Sequence, residues 1–200
     1  MANFFRNANE YQQISERRML ESKYNSARSN LLLVIVFSLI NLILLITQSN
    51  VYFLFSAAIP YALTDLGMFY CGMYADEYYT GELAGIEFLE PSFFVILLAI
   101  SLIIIIFYFV CYLLSKKNKV AWLIVALVLF SLDTLVMFWY YGISVNMLLD
   151  LAFHVWMIVI LALGIRAHFK LQVLPPEQVV IEGEAVEISE NTDSTDTDGN

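Results

Sequence analysis

Four long apolar segments dominate the pattern of hydrophobic and polar positions along the chain. They cover residues 31–48, 92–114, 120–141 and 149–167. A helix that crosses a hydrocarbon core about 30 Å thick needs about 20 apolar residues, with about 17 as the lower limit. Each segment meets that length, so the pattern predicts an all-α integral membrane protein built as a bundle of four transmembrane helices.

A fifth apolar stretch, residues 51–74, is interrupted by Pro60 and by the polar pair Thr64 and Asp65. The lysine and arginine positions decide whether it crosses, because cytoplasmic flanks carry most of the positive charge. With four spans, all the basic residues lie on the cytoplasmic side or at the inner ends of spans. These residues are Arg6, Arg17, Arg18, Lys23, Arg28, Lys116, Lys117, Lys119, Arg166 and Lys170. With five spans the turn at 116–119 would face outward, so four spans are favoured, with both termini in the cytoplasm.

Residues 49–91 are then expected on the outer face of the cell membrane, which is the inner or plasma membrane. Segment 51–74 is predicted to form an interfacial cap of two short helices over the bundle, split at Pro60, with Thr64 or Asp65 capping the second helix. The alternative is a re-entrant half-span. Protein would have to shelter such a half-span, because unpaired backbone cannot face lipid.

The two ends of the chain are polar. Residues 1–30 predict a cytoplasmic amphipathic helix, at about 8–28, that lies on the membrane or against a partner. The alternative is a solvated helix that only extends the first span. Residues 172–200 form an acidic tail that is expected to be disordered. It serves either as a solubilising tail or as a docking or phosphorylation segment, and residues 31–171 make up the membrane domain between the two ends.

Composition narrows the class of function. Residues of the apolar and aromatic set make up 60% of the chain and charged residues 14%, against about 25% charged in soluble domains. The formal net charge of −9 argues against nucleic-acid binding, which needs a basic surface. No phosphate-binding loop, paired-cysteine pattern or H-E-x-x-H motif is present, and no motif indicates a family. We therefore expect no cofactor, and we expect the lipid bilayer, with another membrane or cytoplasmic protein, as partners.

Two ionisable residues fall near the centres of spans, where they are costly and mark a candidate site. Counting about 1.5 Å per residue puts Asp133 about 3 Å and His154 about 6 Å outside the midplane. Asn41 and Ser101 fall at a similar level in the other two spans, and Asp150 lies one turn from His154 on the same face. The sequence thus predicts one polar intramembrane layer, in which Asp133 and His154 lie within hydrogen-bond reach.

Three interpretations of this layer stay open. The pair could join two helices structurally, with Asn41 and Ser101 as ordinary interhelical hydrogen-bonding groups. It could form a proton-linked or ligand-binding site, since histidine titrates near neutral pH. It could also bind a metal through Asp133, Asp150 and His154, although zinc sites usually have more His or Cys ligands. We favour a non-enzymatic membrane protein that binds a partner or an apolar ligand; the alternative is a small proton-linked carrier or an intramembrane enzyme.

Overall fold

The described part of the chain is entirely helical. The computed structural model describes residues 2–117, 119–142 and 145–174, and these hold five α-helices, three short 3₁₀ turns and no strand. The helices are α1 (Ala2–Ile46), α2 (Ala58–Tyr70), α3 (Pro91–Leu114), α4 (Val120–Tyr141) and α5 (Val145–Val173). All of them except α2 are long and apolar enough to cross a membrane. This confirms the prediction of an all-α, multi-pass membrane protein with four candidate spans.

Helix α1 is a single helix of 45 residues. Its sequence holds no proline or glycine, so nothing interrupts the hydrogen-bond ladder between the polar residues 8–28 and the apolar segment 31–48. The helix ends at Ile46, and the chain turns at Gln48, whose φ of 53° lets the Ser49 N–H donate back to the Leu44 carbonyl at 2.8 Å. This left-handed residue is a common way to end a helix. The predicted tail 172–200 lies outside the described residues from 175 onward.

The long helices bury polar residues and expose apolar ones. Ser38, Asn41, Ser101, Asp133 and His154 are all buried in the bundle. Many large apolar side chains of α3 face outward, among them Ile103, which is 64% exposed. Lipid can solvate such surfaces, so association of the helices depends on close packing and interhelical hydrogen bonds. Helices α1 and α5 approach closely at Gly164, where an added Cβ would overlap the Ala27 side chain.

The basic residues with described side chains lie towards one end of the bundle, which we call the basic end. It comprises the polar part of α1, the turn at Ser115–Lys117 and the C-terminal end of α5. Arg28 joins two of these parts, since its Nε donates to Ser115 Oγ at 3.0 Å. Arg17 joins α1 to the end of α5, through its contact of 3.5 Å with the Leu174 carbonyl.

Residues 47–52 and 71–91 gather at the opposite end, which we call the acidic end. Gln48 Nε2 donates to the Met73 carbonyl at 2.6 Å and so joins the two segments. Tyr140, at the end of α4, donates to Asp65 of α2 at 3.2 Å. The acidic end therefore includes the adjoining ends of α1, α2 and α4.

Helix α2 stands upright between the long helices, antiparallel to α3. Its Pro60 carbonyl lies beside Ser101 in the middle of α3, whereas its last residue, Tyr70, accepts a backbone hydrogen bond from Leu89, just before α3 begins. The start of α2 is bonded to Asp133 of α4. Asp133 lies eight residues before Tyr141, so α2 starts about 12 Å inside the end of α4.

This arrangement corrects the prediction that 51–74 forms two short helices lying across the bundle. Pro60 is the third residue of a single helix, a position whose N–H has no intrahelical partner in any case. Thr64 does not cap a second helix, because its hydroxyl donates to the Pro60 carbonyl of the same helix at 2.9 Å. The proline marks the start of α2 and not a break between two helices.

Candidate functional site

The carboxylate of Asp133 caps the N-terminus of α2 from a different helix. Its Oδ2 accepts a hydrogen bond from the Ala58 N–H and its Oδ1 one from the Ile59 N–H, both at 2.8 Å. The side chain is completely buried. A carboxylate at a helix N-terminus meets both free N–H groups and the positive end of the helix dipole, so the two groups compensate each other's desolvation.

All the unpaired amides at the start of α2 are accounted for. A helix leaves its first four N–H groups without intrahelical partners. The Ala57 N–H donates to Ser38 Oγ of α1 at 2.8 Å, those of Ala58 and Ile59 donate to Asp133, and Pro60 has no N–H to satisfy. The residue before the helix is alanine, which offers no side-chain cap. Helices α1 and α4 therefore supply what the local sequence lacks.

Asn41 holds the extended segment that leads into α2. Its Nδ2 donates to the Phe53 carbonyl at 2.6 Å, and its Oδ1 accepts from the Phe53 N–H at 2.8 Å. The same amide nitrogen also donates to Ser56 Oγ at 2.7 Å. One buried amide thus satisfies both backbone groups of a residue that has left helical structure, which a buried backbone requires.

Ser101 contacts α2 from the side opposite Asp133. Its Oγ lies 2.9 Å from the Pro60 carbonyl and 3.1 Å from Thr64 Oγ1. One turn further along, Gly67 allows close approach to α3, since a Cβ there would lie 3.2 Å from the Phe94 Cα. Ser101 and Gly67 together fix the register between α2 and α3.

His154 lies beside Asp133 without a good hydrogen bond to it. Its Nε2 is 3.5 Å from Asp133 Oδ2 and has no hydrogen-bond partner within the described part of the chain. Its Nδ1 is 2.9 Å from the Asp150 carbonyl, which requires that Nδ1 carry the hydrogen. The ring stacks on Phe130, with centroids 5.0 Å apart. The Asp133–His154 pair is therefore close, but the carboxylate is bonded mainly to the α2 backbone.

Asp150 connects His154 to the acidic end. Its Oδ1 is 3.8 Å from His154 Nδ1, and its Oδ2 accepts from the Tyr52 hydroxyl at 3.2 Å. That hydroxyl in turn accepts from Ser56 Oγ at 3.2 Å. The side chain of Asp150 is 16% exposed and Tyr52 is 37% exposed. Polar groups therefore run from buried Asp133 to the surface of the acidic end.

The five residues singled out by sequence all contact this region, in two groups. Asn41, Asp133, Asp150 and His154 lie around the start of α2, whereas Ser101 lies across α2 from them. Sequence reasoning missed Ser38, although it lies one turn before Asn41 on the same helix, and it missed Ser56. It named Thr64 only as a cap for a second helix. It also missed the α2 amides, which are the main partners of Asp133, because unpaired backbone amides cannot be recognised from residue identity.

A metal site at this layer gains no support from the described residues. They contain no group of three or more His, Cys, Asp or Glu side chains placed to hold an ion. Both oxygens of Asp133 already face amide hydrogens, and a cation there would face the positive end of α2.

Comparison with models of known protein families, with curated proteins and with solved structures found no match. Function must therefore be argued from the geometry of the molecule.

A cavity of about 740 Å³ opens at the acidic end between α1, α2 and α4. Asp65 of α2 lies in its wall, and the Tyr74 and Tyr140 hydroxyls donate to the two oxygens of its carboxylate. Burial and the neighbouring Asp65 raise the pKa of Tyr74 above its ordinary value, so this phenol keeps its proton and remains a donor. The cavity is separate from the buried polar layer around Asp133.

Proposed function

We propose that the protein is a multi-pass protein of the cell membrane with both termini in the cytoplasm. The grouping of Arg17, Arg28 and Lys116 with the end of α5 at one end supports this orientation, because positively charged flanks stay in the cytoplasm. Residues 49–91 carry six acidic residues and no lysine or arginine and would face outward. Single-cysteine variants Thr80→Cys and Asn118→Cys, made in a cysteine-free background, test it: an impermeant thiol reagent on whole cells should label position 80 and not 118.

In this membrane, α2 is a re-entrant half-span. Its start, about 12 Å inside the end of α4, lies near the predicted midplane level of Asp133. Non-helical backbone is tolerated at that depth only where protein shelters it. Ser38, Asn41 and Asp133 supply the hydrogen-bond partners that residues 53–59 need there.

We infer that the protein binds a ligand at the acidic end and is not an enzyme. The cavity of about 740 Å³ at the acidic end carries this inference. Catalysis by the buried Asp133 is disfavoured, because both of its carboxylate oxygens are engaged by backbone amides of α2. That bonding gives Asp133 a positioning role, since it holds the N-terminus of α2 in place between the long helices. Helix α2 then forms one wall of the 740 Å³ cavity, which is large enough for a small molecule.

Native mass spectrometry of protein released from its own membranes tests this inference. The wild-type protein should carry a bound small molecule. Ser49→Trp should abolish that adduct, because Ser49 lines the cavity and an indole would fill part of it. Ser92→Trp is the matched control, since Ser92 is exposed at the same end and does not line the cavity. Equal adducts in all three proteins would contradict binding at this cavity.

A proton-linked carrier is the second candidate function. It is favoured by His154 Nε2 and Asp150 Oδ1, which are buried without hydrogen-bond partners in the described part of the chain. Together with Tyr52 they extend from Asp133 towards the acidic end. Proteoliposomes loaded with a pH-sensitive dye decide between the two functions. Proton flux that His154→Gln and Asp150→Asn both abolish would favour the carrier over the binding protein.

Two further surfaces remain proposed sites for a protein partner. One is the polar part of α1, which extends beyond the apolar segment as a continuous helix. The other is the acidic tail 172–200. Co-purification from the native membrane, repeated with a protein truncated at residue 174, would assign a cytoplasmic partner to one or the other.

A further inference from the structure

Half of the residues that line the cavity at the acidic end are aromatic, and one carboxylate lies among them. Its aromatic lining residues are Tyr61, Phe69, Tyr70, Tyr74, Tyr78 and Tyr140. Among the described residues, Asp65 is the acidic lining residue and no lysine or arginine lines the cavity. Aromatic faces carry the negative part of the ring quadrupole and attract cations that lie over them.

The carboxylate of Asp65 is held in place without any positive partner among the lining residues. The Tyr74 hydroxyl donates to its Oδ1, and the Tyr140 hydroxyl donates to its Oδ2 at 3.2 Å. Both donors are neutral phenols, so they orient the carboxylate but leave its negative charge uncompensated. Tyr61, one turn before Asp65 on α2, packs edge-on against Tyr52 with ring centroids 5.1 Å apart. This contact holds the Tyr61 ring in place.

The surrounding segment adds negative charge of its own. Asp76, Glu77, Glu82, Glu87 and Glu90 lie in residues 75–91, and no lysine, arginine or histidine occurs anywhere between residues 47 and 91. A cleft lined by charges of one sign raises the local concentration of ligands of the opposite sign. The ligand that fits such a cavity is therefore a cation.

We propose that this cavity binds a small organic cation, an alkylated ammonium, with its charge beside Asp65 and its alkyl groups against the tyrosine rings. A bare metal ion fits less well, because calcium and magnesium need about six or more oxygen ligands and this wall offers one carboxylate with both oxygens already hydrogen-bonded. The proposal rests on the proposed binding function and names its ligand class. It uses none of the residues of the buried polar layer.

Titration calorimetry with choline chloride on the full-length protein in nanodiscs tests the proposal. Choline should bind, whereas 3,3-dimethyl-1-butanol, which has the same shape without the charge, should bind roughly tenfold more weakly or not at all. Asp65→Asn should raise the Kd for choline by roughly tenfold or more, because it removes the charge. Asp76→Asn is the matched control: it removes an exposed charge at the same end and should change the Kd far less.

Tyr61→Leu provides a second variant that leaves Asp65 and its two phenol donors in place. It should weaken choline binding several-fold, through loss of one aromatic face, with little change in the binding of the neutral analogue. This keeps the test decisive if Asp65→Asn does not fold.

Three outcomes would overturn the proposal: no choline binding, equal binding of the neutral analogue, or equal effects of Asp65→Asn and Asp76→Asn. Its failure is distinct from failure of the proposed function. If the adduct from native membranes is lost in Ser49→Trp but choline does not bind, the cavity binds a ligand of another class. If Ser49→Trp retains the adduct, binding at this cavity is itself contradicted.

Discussion

Replacing Asp133 should destabilise α2 even when its neighbour is replaced as well. If Asp133 and His154 formed a self-contained pair, Asp133→Leu combined with His154→Leu would cost little, because two apolar groups can replace a satisfied polar pair. The two bonds to the α2 amides change that expectation. The double variant leaves the Ala58 and Ile59 N–H groups buried without partners.

The magnitude follows from these two bonds. A hydrogen bond to a charged group contributes about 1.5–3 kcal/mol, and an unsatisfied buried donor costs about 1–3 kcal/mol. With two such donors left unsatisfied, Asp133→Leu, alone or with His154→Leu, should lower the free energy of unfolding by about 2–6 kcal/mol. Asp133→Asn keeps one acceptor but turns an NH₂ group towards the other amide, so it should cost about half as much.

Two measurements check this prediction on protein in nanodiscs. The midpoint of thermal unfolding reports the global cost, and hydrogen exchange of the peptide that contains residues 55–63 reports the state of the α2 amides. Exchange there should be fastest in the leucine variants and intermediate in Asp133→Asn. Thr134→Val is the matched control. Within the described part of the chain the Thr134 hydroxyl bonds only the Phe130 carbonyl of its own helix, so its loss should leave both readouts nearly unchanged.

The result that would refute this reasoning is specific. A double leucine variant that unfolds at the wild-type temperature and keeps slow exchange over residues 55–63 would show that Asp133 does not hold α2. Instability without faster exchange there would place the cost at another part of the bundle.

Two other predictions concern packing and pH. Gly164→Ala should destabilise the contact between α1 and α5 by about 1–3 kcal/mol through overpacking. Ala27→Gly in the same protein should restore most of that stability, as thermal unfolding of the single and double variants would show. A double variant that is less stable than either single variant would contradict a clash between these two residues. Stability should fall above about pH 10, the ordinary tyrosine pKa, because burial and Asp65 raise the pKa of Tyr74 in the folded protein and the unfolded chain loses its proton first. Tyr74→Phe should make that alkaline fall shallower, and an identical pH profile would contradict the assignment.

The lengths of the spans could be predicted from sequence because the bilayer imposes them. Predicted segments 92–114 and 120–141 match α3 and α4 almost to the residue. Helix α5 extends beyond 149–167 at both ends, since a helix need not stop where its apolar residues stop. Helix α1 likewise continues through its polar part, where no residue interrupts it.

The position of α2 could not be predicted in the same way. Residue identity shows that Pro60 limits a helix but not on which side the helix lies. Asp133 was identified by its cost in the membrane, yet its partners are backbone amides some 75 positions away in sequence. A polar side chain deep in a span indicates that another group must hydrogen-bond to it. The sequence shows side-chain candidates for that group, such as His154, but does not show which backbone amides are free.

The dependence of α2 on other helices has a consequence for how the chain is made. The acceptor on Ser38 is synthesised before α2, but the Asp133 carboxylate emerges only within α4, the second helix after α2. Until α4 has entered the membrane, two amides at the start of α2 have no acceptor, so the segment is better solvated by water than by lipid. We therefore expect biogenesis in two steps, in which the four long helices insert first and α2 moves from the aqueous side into the gap between them afterwards.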